Sequence, residues 1–237
     1  MSALTNNMFL DVLSAESHDL LLSKTTPVML PSRTFLSKAE EVPAFVFFLT
    51  SGVTSVVAST ADGGTAEVGL IGREGLVGAF QLLGPALVPT DCFIQMEGAG
   101  LRLPLADMRA AFRSNPEIHA RTLEFVQQQS LSLLQIAGCH RFHDAEERLA
   151  RWLLMAQDRS QTDVLDLTQE FLAMMLGARR TTVTMIAGAM QRSGLIEYNR
   201  GRVKILSREN LEHAACDCYE VTRKLYDQLY QKKVSEL

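Results

Sequence analysis

Residues 167–196, LTQEFLAMMLGARRTTVTMIAGAMQRSGLI, have the pattern of two short helices joined by a tight turn. Thr168 is predicted to cap the first helix, because its hydroxyl can accept a hydrogen bond from an early backbone N–H. Gly177 is predicted to form the turn. The second helix is predicted over residues 179–193 and stops before Gly194, a usual residue just past a helix. Its apolar stripe consists of Val183, Ile186, Ala187 and Met190.

The other face of the second helix is made of side chains that suit nucleic acid. A helix-turn-helix places the N-terminal residues of its second helix against base edges in the major groove, where Arg commonly reads guanine. The candidate DNA-contacting residues of this motif are Thr168, Arg179, Arg180, Thr181, Thr182, Thr184 and Arg192. Taken alone, the segment fits equally well an ordinary helical hairpin with a solvated basic face.

A predicted β-hairpin directly follows the two helices. Its strands are residues 195–198 and 203–206, and the four residues NRGR between them have hairpin-turn composition. A helix-turn-helix followed by a hairpin with a basic tip is a winged helix. Residues 179–204 hold six basic residues and one acid, a local charge of +5, whereas the whole chain carries −4. Such a basic island indicates a polyanion site. The wing residues predicted to contact DNA are Arg200, Arg202 and Lys204.

This segment resembles the C-terminal DNA-binding domain of the Crp/Fnr transcription regulators. The residues that carry the resemblance are Thr168, Gly177, Arg180, Thr182, Val183 and the pair Leu195-Ile196. The resemblance implies that Arg180 reads a guanine. It also implies a base-reading glutamate and a further arginine, but Thr181 and Met185 occupy those two positions. The departures therefore imply a different operator sequence.

Between residues 25 and 104, short apolar runs alternate with turn residues, which predicts an antiparallel sandwich or barrel. The predicted strands are residues 28–30, 44–49, 53–59, 65–71, 92–96 and 101–103. The stretches TSGVTSVVAS and IGREGLVGAFQLLG resemble the jelly-roll sensor domain of the same family. The chain is thus predicted to be α+β, with an N-terminal antiparallel β jelly-roll of the cyclic-nucleotide-binding type, a long helix and a C-terminal winged helix-turn-helix.

The resemblance also places an effector pocket around the glycine-rich loop. Its candidate residues are Gly72, Arg73, Glu74, Gly75, Val77, Gly78, Ala79, Pro89 and Thr90. The family's ribose-binding glutamate and phosphate-binding arginine correspond to Ala79 and Pro89, and a buried phosphate without a cationic partner is costly. We therefore expect no cyclic AMP binding of the usual kind, leave cyclic di-GMP open as an effector and predict no cofactor. Arg73 and Glu74 are expected in a solvated turn.

A long helix is predicted between the two halves. The sequence Asn-Pro-Glu at residues 115–117 is a strong helix start, and the pattern continues to about residue 138. Residues 118, 125 and 132 fall seven apart, as do 123 and 130 and also 126 and 133. With 134 and 136 beyond them, they form a partial heptad seam with polar interruptions. The resemblance implies a parallel homodimer along this helix; packing against its own barrel is the alternative. The three glutamines at 127–129 face either the seam or a ligand pocket, and a hinge is predicted at residues 138–143.

Three units follow from these patterns. They are a sensor domain with short N-terminal helices at residues 1–115, a dimerisation helix at 116–138 and a winged-helix DNA-binding domain at 139–237. A short strand at residues 164–167 is predicted to pair with the wing, and the C-terminal helical extension adds either to the dimer or to a domain contact.

Several other functions are disfavoured by composition and spacing. No apolar run approaches the ~20 residues of a membrane-spanning helix, and the N-terminus lacks a signal-peptide pattern, so a cytoplasmic protein is expected. No histidine lies between residues 25 and 104, which argues against a cupin-type metalloenzyme. We find no catalytic triad spacing and no Walker loop, and predict no enzyme.

The four cysteines do not form a framework spacing. Cys216 and Cys218 are placed in a helix, where residues two apart point to different sides. A reduced structural pair is therefore predicted there, and no metal site.

These observations predict a dimeric, sequence-specific DNA-binding regulator with a signal input at the sensor domain. Its predicted partners are double-stranded DNA and RNA polymerase, and no membrane. The alternative is a sensor module whose winged helix contacts protein rather than DNA.

Overall fold

The computed structural model describes residues 4–231, and its N-terminal half is a β domain preceded by two short helices. The elements are α1 (Met8–Asp11), α2 (Ala15–Leu22), β1 (Thr26–Leu30), β2 (Phe35–Ser37), β3 (Phe45–Leu49), β4 (Val53–Ser59), β5 (Thr65–Ile71), β6 (Thr90–Met96) and β7 (Gly98–Pro104). A 3-10 turn (Ala79–Leu82) follows the glycine-rich loop. The six predicted strands are confirmed. Strand β2 was missed because it is only three residues long and pairs with an irregular register.

The strands form two antiparallel sheets, which confirms the predicted jelly-roll. One sheet has the order β1-β7-β3 and the other β2-β6-β4-β5. The core between them is built from alternate strand residues, because successive side chains point to opposite faces. Phe48 and Leu103 enter the core from the first sheet and Ile94 from the second, and all three are fully buried.

Two helices follow the sheets, α3 (Leu105–Ser114) and α4 (Pro116–Phe142). The start of α4 is as predicted: the Asn115 side chain accepts from the Ile118 N–H at 3.0 Å, and proline holds the first helical position. The helix ends later than predicted, at Phe142, so the hinge predicted at 138–143 is wrong for all but its last residue. A single glycine such as Gly138 costs only about 1 kcal/mol in a helix interior, which the packing of a long helix offsets.

The residues of the heptad seam predicted on α4 divide between two faces of the helix. Ile118, Phe125 and Ser132 are buried against the sensor domain, so the alternative of packing on the helix's own barrel holds for this face. Leu123 and Leu134 of the predicted seam lie instead on an exposed, apolar face. Its residues are Leu123, Leu131, Leu134 and Phe142.

The C-terminal half is a winged helix with additional helices. Its elements are α5 (Ala145–Ser160), β8 (Val164–Asp166), α6 (Gln169–Leu176), α7 (Arg180–Arg192), β9 (Ile196–Asn199), β10 (Arg202–Ile205), α8 (Arg208–Ala214) and α9 (Cys218–Asp227). Asp144 caps α5 in a complete capping box with Glu147. The predicted pairing of β8 with the wing is confirmed, because β10 lies between β8 and β9.

The segment with the last two cysteines departs from the prediction. Cys216 lies between α8 and α9 rather than inside a helix, because Ala215 adopts an extended conformation that ends α8. The premise that Cys216 and Cys218 point apart on one helix is therefore wrong, and both thiols are buried in one cluster with Cys139.

The C-terminal extension makes a contact between the domains. Helix α9 packs along α4, and Leu229 beyond it is part of the sensor core. The Tyr230 N–H donates to the Glu124 carboxylate at 2.6 Å. Of the two predicted roles for this extension, the structure shows the domain contact.

Within residues 4–231, no helix combines the length and apolar character needed to cross a membrane.

Candidate nucleic-acid interface and effector cavity

The turn between α6 and α7 is built as the sequence predicts. The Thr168 hydroxyl accepts from the Phe171 N–H at 3.2 Å and caps α6. Gly177 ends α6 with φ of +57°, a conformation that favours glycine. Leu172 of α6 and Val183 of α7 are buried in the shared core, which fixes the angle at which α7 leaves the turn.

Helix α7 presents an open, basic N-terminus. Arg179 occupies the N-cap without a side-chain cap, and the first turn contains no acid. Its free N–H groups and the positive end of the helix dipole therefore favour an anion. The exposed residues along this face are Arg179, Arg180, Thr181, Thr184, Met185, Gln191 and Arg192, with Thr182 half-buried. The Thr184 hydroxyl has local partners, the Arg180 carbonyl at 2.9 Å and the Gln169 side-chain oxygen at 3.0 Å.

The wing turns tightly at its basic tip. Arg200 and Gly201 both have positive φ, +47° and +80°, as a two-residue type I′ hairpin requires. The Gly201 carbonyl accepts from the Leu167 N–H at 2.7 Å and holds the tip beside the start of α6. Arg202 pairs with Asp166 at 2.9 Å, but both are exposed, and such pairs contribute only about 0–1 kcal/mol.

Tyr198 of β9 joins the wing to the two helices. Its backbone N–H donates to the Gln191 side chain at 3.1 Å, and its phenol lies near Gln169 and Arg180. Burial raises the pKa of this phenol, which keeps it neutral. The start of α6, the helix α7 and the wing therefore belong to one continuous basic surface.

A cavity of about 500 Å³ lies where the sequence predicts an effector pocket. Five of the nine predicted pocket residues line it: Val77, Gly78, Ala79, Pro89 and Thr90. Three residues of α4, Phe125, Gln129 and Leu133, also line it. They were missed because the sequence did not tell which face of α4 meets the barrel. The three glutamines at 127–129 were predicted to face either the seam or a ligand pocket. Gln129 lines the cavity, whereas Gln127 is exposed.

The cavity lining is apolar and uncharged. Among the described residues that surround it, there is no Lys, Arg, Asp or Glu, and the polar side chains are Ser37, Gln81, Thr90 and Gln129. The positions aligned with the classical ribose and phosphate contacts, Ala79 and Pro89, are in the wall. A wall of this kind suits a ligand that is neutral or carries little charge.

The other four predicted pocket residues, at positions 72–75, lie outside the lining. Glu74 is fully buried: its carboxylate binds the Arg159 guanidinium at 2.8 Å and accepts from the Gly72 N–H at 2.9 Å. The expected solvated turn is therefore wrong for Glu74, because α5 supplies a cation from a distant part of the chain. Arg73 instead donates to Asn6 at 2.5 Å. Gly75 is required by close packing, since a Cβ there would lie 2.0 Å from the Phe125 ring.

A second buried contact joins the sensor sheet to α5. Glu67 of β5 accepts from the Trp152 indole N–H at 2.5 Å, and its other carboxyl oxygen is hydrogen-bonded to the Ser55 hydroxyl at 2.6 Å. Burial raises the pKa of Glu67 to about 7, although both hydrogen bonds and the charges of Arg151 and Arg159 lower it. The N-terminal β domain and the winged-helix half are therefore joined by two buried carboxylates.

Comparison with known proteins agrees with this architecture. Residues 147–214 match the family model of the Crp-like helix-turn-helix domain. A search of curated proteins finds no match. Among solved structures, a Crp/Fnr-family transcriptional regulator from Eubacterium rectale superimposes with a TM-score of 0.69 at 16% identity, covering 85% of this chain and 94% of that one.

Two further structures are similar to the chain over most of its length. The c-di-GMP-responsive global regulator CLP from Xanthomonas campestris gives a TM-score of 0.68 at 16% identity, with 82% of this chain and 100% of that one covered. A CRP-family transcriptional regulator from Thermus thermophilus gives 0.65 at 19% identity, with 79% and 96% covered.

The chain shares with these structures a jelly-roll, a long connecting helix and a winged helix in the same order. Residues 147–214 form a Crp-like helix-turn-helix domain. Beyond this domain, what the chain shares with the solved regulators is their fold.

Proposed function

We propose that this protein is a transcription regulator of the Crp/Fnr type. It binds double-stranded DNA sequence-specifically, with α7 in the major groove and the wing on the adjacent backbone. The observation that carries this proposal is the exposed basic surface of α7 and the wing in a chain of net charge −4. Arg180, the first residue of α7, is the proposed base reader. The proposed contacts to phosphate, which position the protein without specifying sequence, are Thr168, Arg179, Thr182, Arg192, Arg200, Arg202 and Lys204. Thr181 and Thr184 complete the groove-facing surface.

We expect Arg180→Ala to weaken binding to a specific site by about 1–3 kcal/mol and to relax the preference for one base. Fluorescence anisotropy on a site selected from random DNA, compared with scrambled DNA, measures both effects. Arg113→Ala is the matched control, because Arg113 is an exposed arginine of α3 in the sensor domain. Equal weakening on specific and scrambled DNA would contradict base reading by Arg180.

The salt dependence of the same assay separates DNA from protein as the target. DNA binding releases counterions, so affinity should fall steeply as salt increases. The alternative, in which the winged helix contacts protein, would be supported by either of two results. One is no binding to any selected sequence, and the other is weak binding that does not change with salt. RNA polymerase as a partner stays a prediction of the family resemblance.

The dimer that two half-sites require is proposed to form along the exposed apolar face of α4. Leu123, Leu131, Leu134 and Phe142 follow one another at helical spacing, and their exposures are 42%, 43%, 70% and 79%. An apolar stripe of this kind on a long helix is costly in water and suits a second copy of the same helix.

We expect Leu134→Glu to shift the protein from dimer to monomer, because it places a charge at the centre of the proposed seam. Light scattering after size-exclusion chromatography measures the mass. Ser114→Glu is the control for the added charge, because Ser114 is an exposed residue at the end of α3 and lies outside this face. A wild-type protein that is monomeric at micromolar concentration, or a Leu134→Glu variant that stays dimeric, would rule out this seam.

The effector is proposed to be a small neutral or largely apolar molecule held in the 500 Å³ cavity. A ligand there would touch Phe125, Gln129 and Leu133 of α4 and so act directly on the proposed dimer helix. A relative of the same fold, CLP, is c-di-GMP responsive, but this cavity offers no cation to a buried phosphate. We expect cyclic AMP, cyclic GMP and cyclic di-GMP to leave DNA affinity unchanged in the anisotropy assay. Activation by any of them would refute the neutral-ligand proposal while leaving DNA binding intact.

A further inference from the structure

Four metal-ligating side chains from two distant parts of the chain meet beside the end of α4. They are Cys139, His143, Cys216 and Cys218, and their ligand atoms all lie within 4.8 Å of one another. The Cys139 and Cys216 sulfurs are 3.5 Å apart, and the Cys218 sulfur is 3.5 Å from His143 Nδ1. The three thiols are buried and the imidazole is about three-quarters buried, with an exposed fraction of 25%.

Local structure explains how four residues can converge. Cys139 and His143 are four residues apart at the C-terminal end of α4, so their side chains project from the same face. Cys216 lies in the break between α8 and α9, and Cys218 is the first residue of α9. The break that ends α8 at Ala215 is what turns both thiols to one side.

The size and composition of the cluster fit a tetrahedral zinc ion. With Zn–S of about 2.3 Å, the edge of a tetrahedral site is about 3.8 Å. The two 3.5 Å separations lie close to this value, and small side-chain rotations bring the remaining atoms to it. Three cysteines and one histidine are a common closed ligand set of structural zinc.

The groups around the cluster supply what a zinc site needs beyond its ligands. His143 directs Nδ1 to the cluster and Nε2 to Asp217 Oδ1 at 3.3 Å, the carboxylate–histidine arrangement typical of zinc sites. The Gln135 side-chain N–H donates to the Cys218 sulfur at 3.1 Å.

Arg151 provides the balancing charge. Three thiolates with Zn²⁺ and a neutral imidazole carry a net charge of −1. Arg151 is 4% exposed, and its Nη1 donates to the Met155 sulfur at 3.1 Å, whereas its Nε has no hydrogen-bond partner. No carboxylate of residues 4–231 lies within ion-pair distance of it. Arg151 lies close enough to Cys139 and Cys216 for its charge to act on both sulfurs. An anionic metal site gives this buried cation a partner.

We propose that Cys139, His143, Cys216 and Cys218 bind one Zn²⁺ ion that clamps the DNA-binding half to the end of the long helix. The ion would bridge the last turn of α4 to the start of α9, across the point where the chain leaves the proposed dimer helix. Binding replaces three S–H protons by the metal and needs no oxidant. Because the ion binds only the folded arrangement, it raises stability by linkage.

The test begins with the full-length protein purified under reducing conditions. We expect about one zinc per chain by plasma mass spectrometry. Titration of the metal-free protein with Co²⁺ should give the visible absorption of a tetrahedral thiolate site, saturating at about one equivalent. Cys139→Ser and Cys216→Ser should each abolish this spectrum, whereas Cys92→Ser should not, because Cys92 is equally buried but lies in the sensor sheet. Asp217→Asn should keep the spectrum and weaken metal affinity by about tenfold.

Two results would overturn the proposal. One is a wild-type protein that binds neither zinc nor cobalt while its far-UV circular dichroism shows it folded. The other is a metal-free protein in which, after aerobic purification, a thiol reagent reacts with two cysteines instead of four. That result would identify a Cys139–Cys216 disulfide instead. The cobalt spectrum of the wild-type protein decides the question even if a serine variant fails to fold, and it is independent of DNA binding.

Discussion

We expect Glu74→Gln to destabilise the protein by about 3–5 kcal/mol, the usual consequence of removing one partner of a buried ion pair. The Glu74 carboxylate is completely buried and the Arg159 side chain is 6% exposed. The glutamine can still accept a hydrogen bond, but it leaves the guanidinium of Arg159 buried without a counter-charge. The Arg159 guanidinium keeps its contacts with the Met155 carbonyl and the Tyr226 ring. These contacts offset only part of the free energy lost with the carboxylate.

Urea denaturation at one fixed protein concentration measures this loss, with the midpoint reporting stability and the slope reporting exposed surface. Asp166→Asn is the control, since it breaks the exposed pair with Arg202 and should cost about 0–1 kcal/mol. The double variant Glu74→Gln with Arg159→Met removes both charges and should recover part of the loss. Equal stability of Glu74→Gln and the wild type would mean that the pair does not hold the sensor to α5.

The DNA-binding half was largely predictable because its signals are local. The Thr168 cap, the Gly177 turn and the apolar stripe through Val183 each depend on neighbouring residues in sequence, and the structure places all three as predicted. The wing tip at Arg200-Gly201 is likewise a local turn signal. Whether these residues contact DNA stays a prediction.

The sensor half was predicted as an architecture but not as a set of contacts. Its strands carry alternating apolar residues that a single sequence reveals, whereas the partner of Glu74 is an arginine 85 residues away. The face of α4 that meets the barrel was also misplaced. Heptad spacing does not distinguish residues that are buried within their own chain from residues that contact a second copy of the chain. Phe125 is buried within its own chain.

The cysteine cluster shows the same limit most clearly. The four-residue spacing from Cys139 to His143 is a weak signal, and 77 residues separate Cys139 from Cys216. Only the helix break at Ala215 turns Cys216 and Cys218 to one side. Sequence spacing predicted a continuous helix there and therefore no site.

We expect the stability of the wild type to fall by about 3 kcal/mol more than that of Glu67→Gln between pH 4.5 and pH 7.5. Burial raises the pKa of Glu67 from its ordinary value of 4.5 to about 7, so the folded protein favours the protonated carboxyl. A group with a raised pKa contributes its stability fully below its unfolded pKa. That contribution is lost as pH rises through the folded value. Glutamine does not ionise, and its contribution is constant over this window.

The hydrogen bonds around Glu67 show why the neutral acid fits. The Ser55 hydroxyl lies 2.6 Å from the Glu67 carboxyl and 2.8 Å from the Gln95 side-chain oxygen, but it has one proton to donate. A protonated Glu67 donates to Ser55, which then donates to Gln95, and the other carboxyl oxygen still accepts from Trp152. Glutamine reproduces this chain of donors.

The measurement is urea denaturation of the wild type, Glu67→Gln and the exposed control Glu97→Gln across the pH window. The free energy of unfolding of each protein is plotted against pH, and the difference between these curves is compared. Parallel curves for wild type and Glu67→Gln would mean that Glu67 is ionised in the folded state. The predicted divergence would instead show that raising the pH weakens the Glu67–Trp152 junction. Because this junction joins β5 to α5, the contact between the β domain and the winged-helix half would then be less stable within the same pH range.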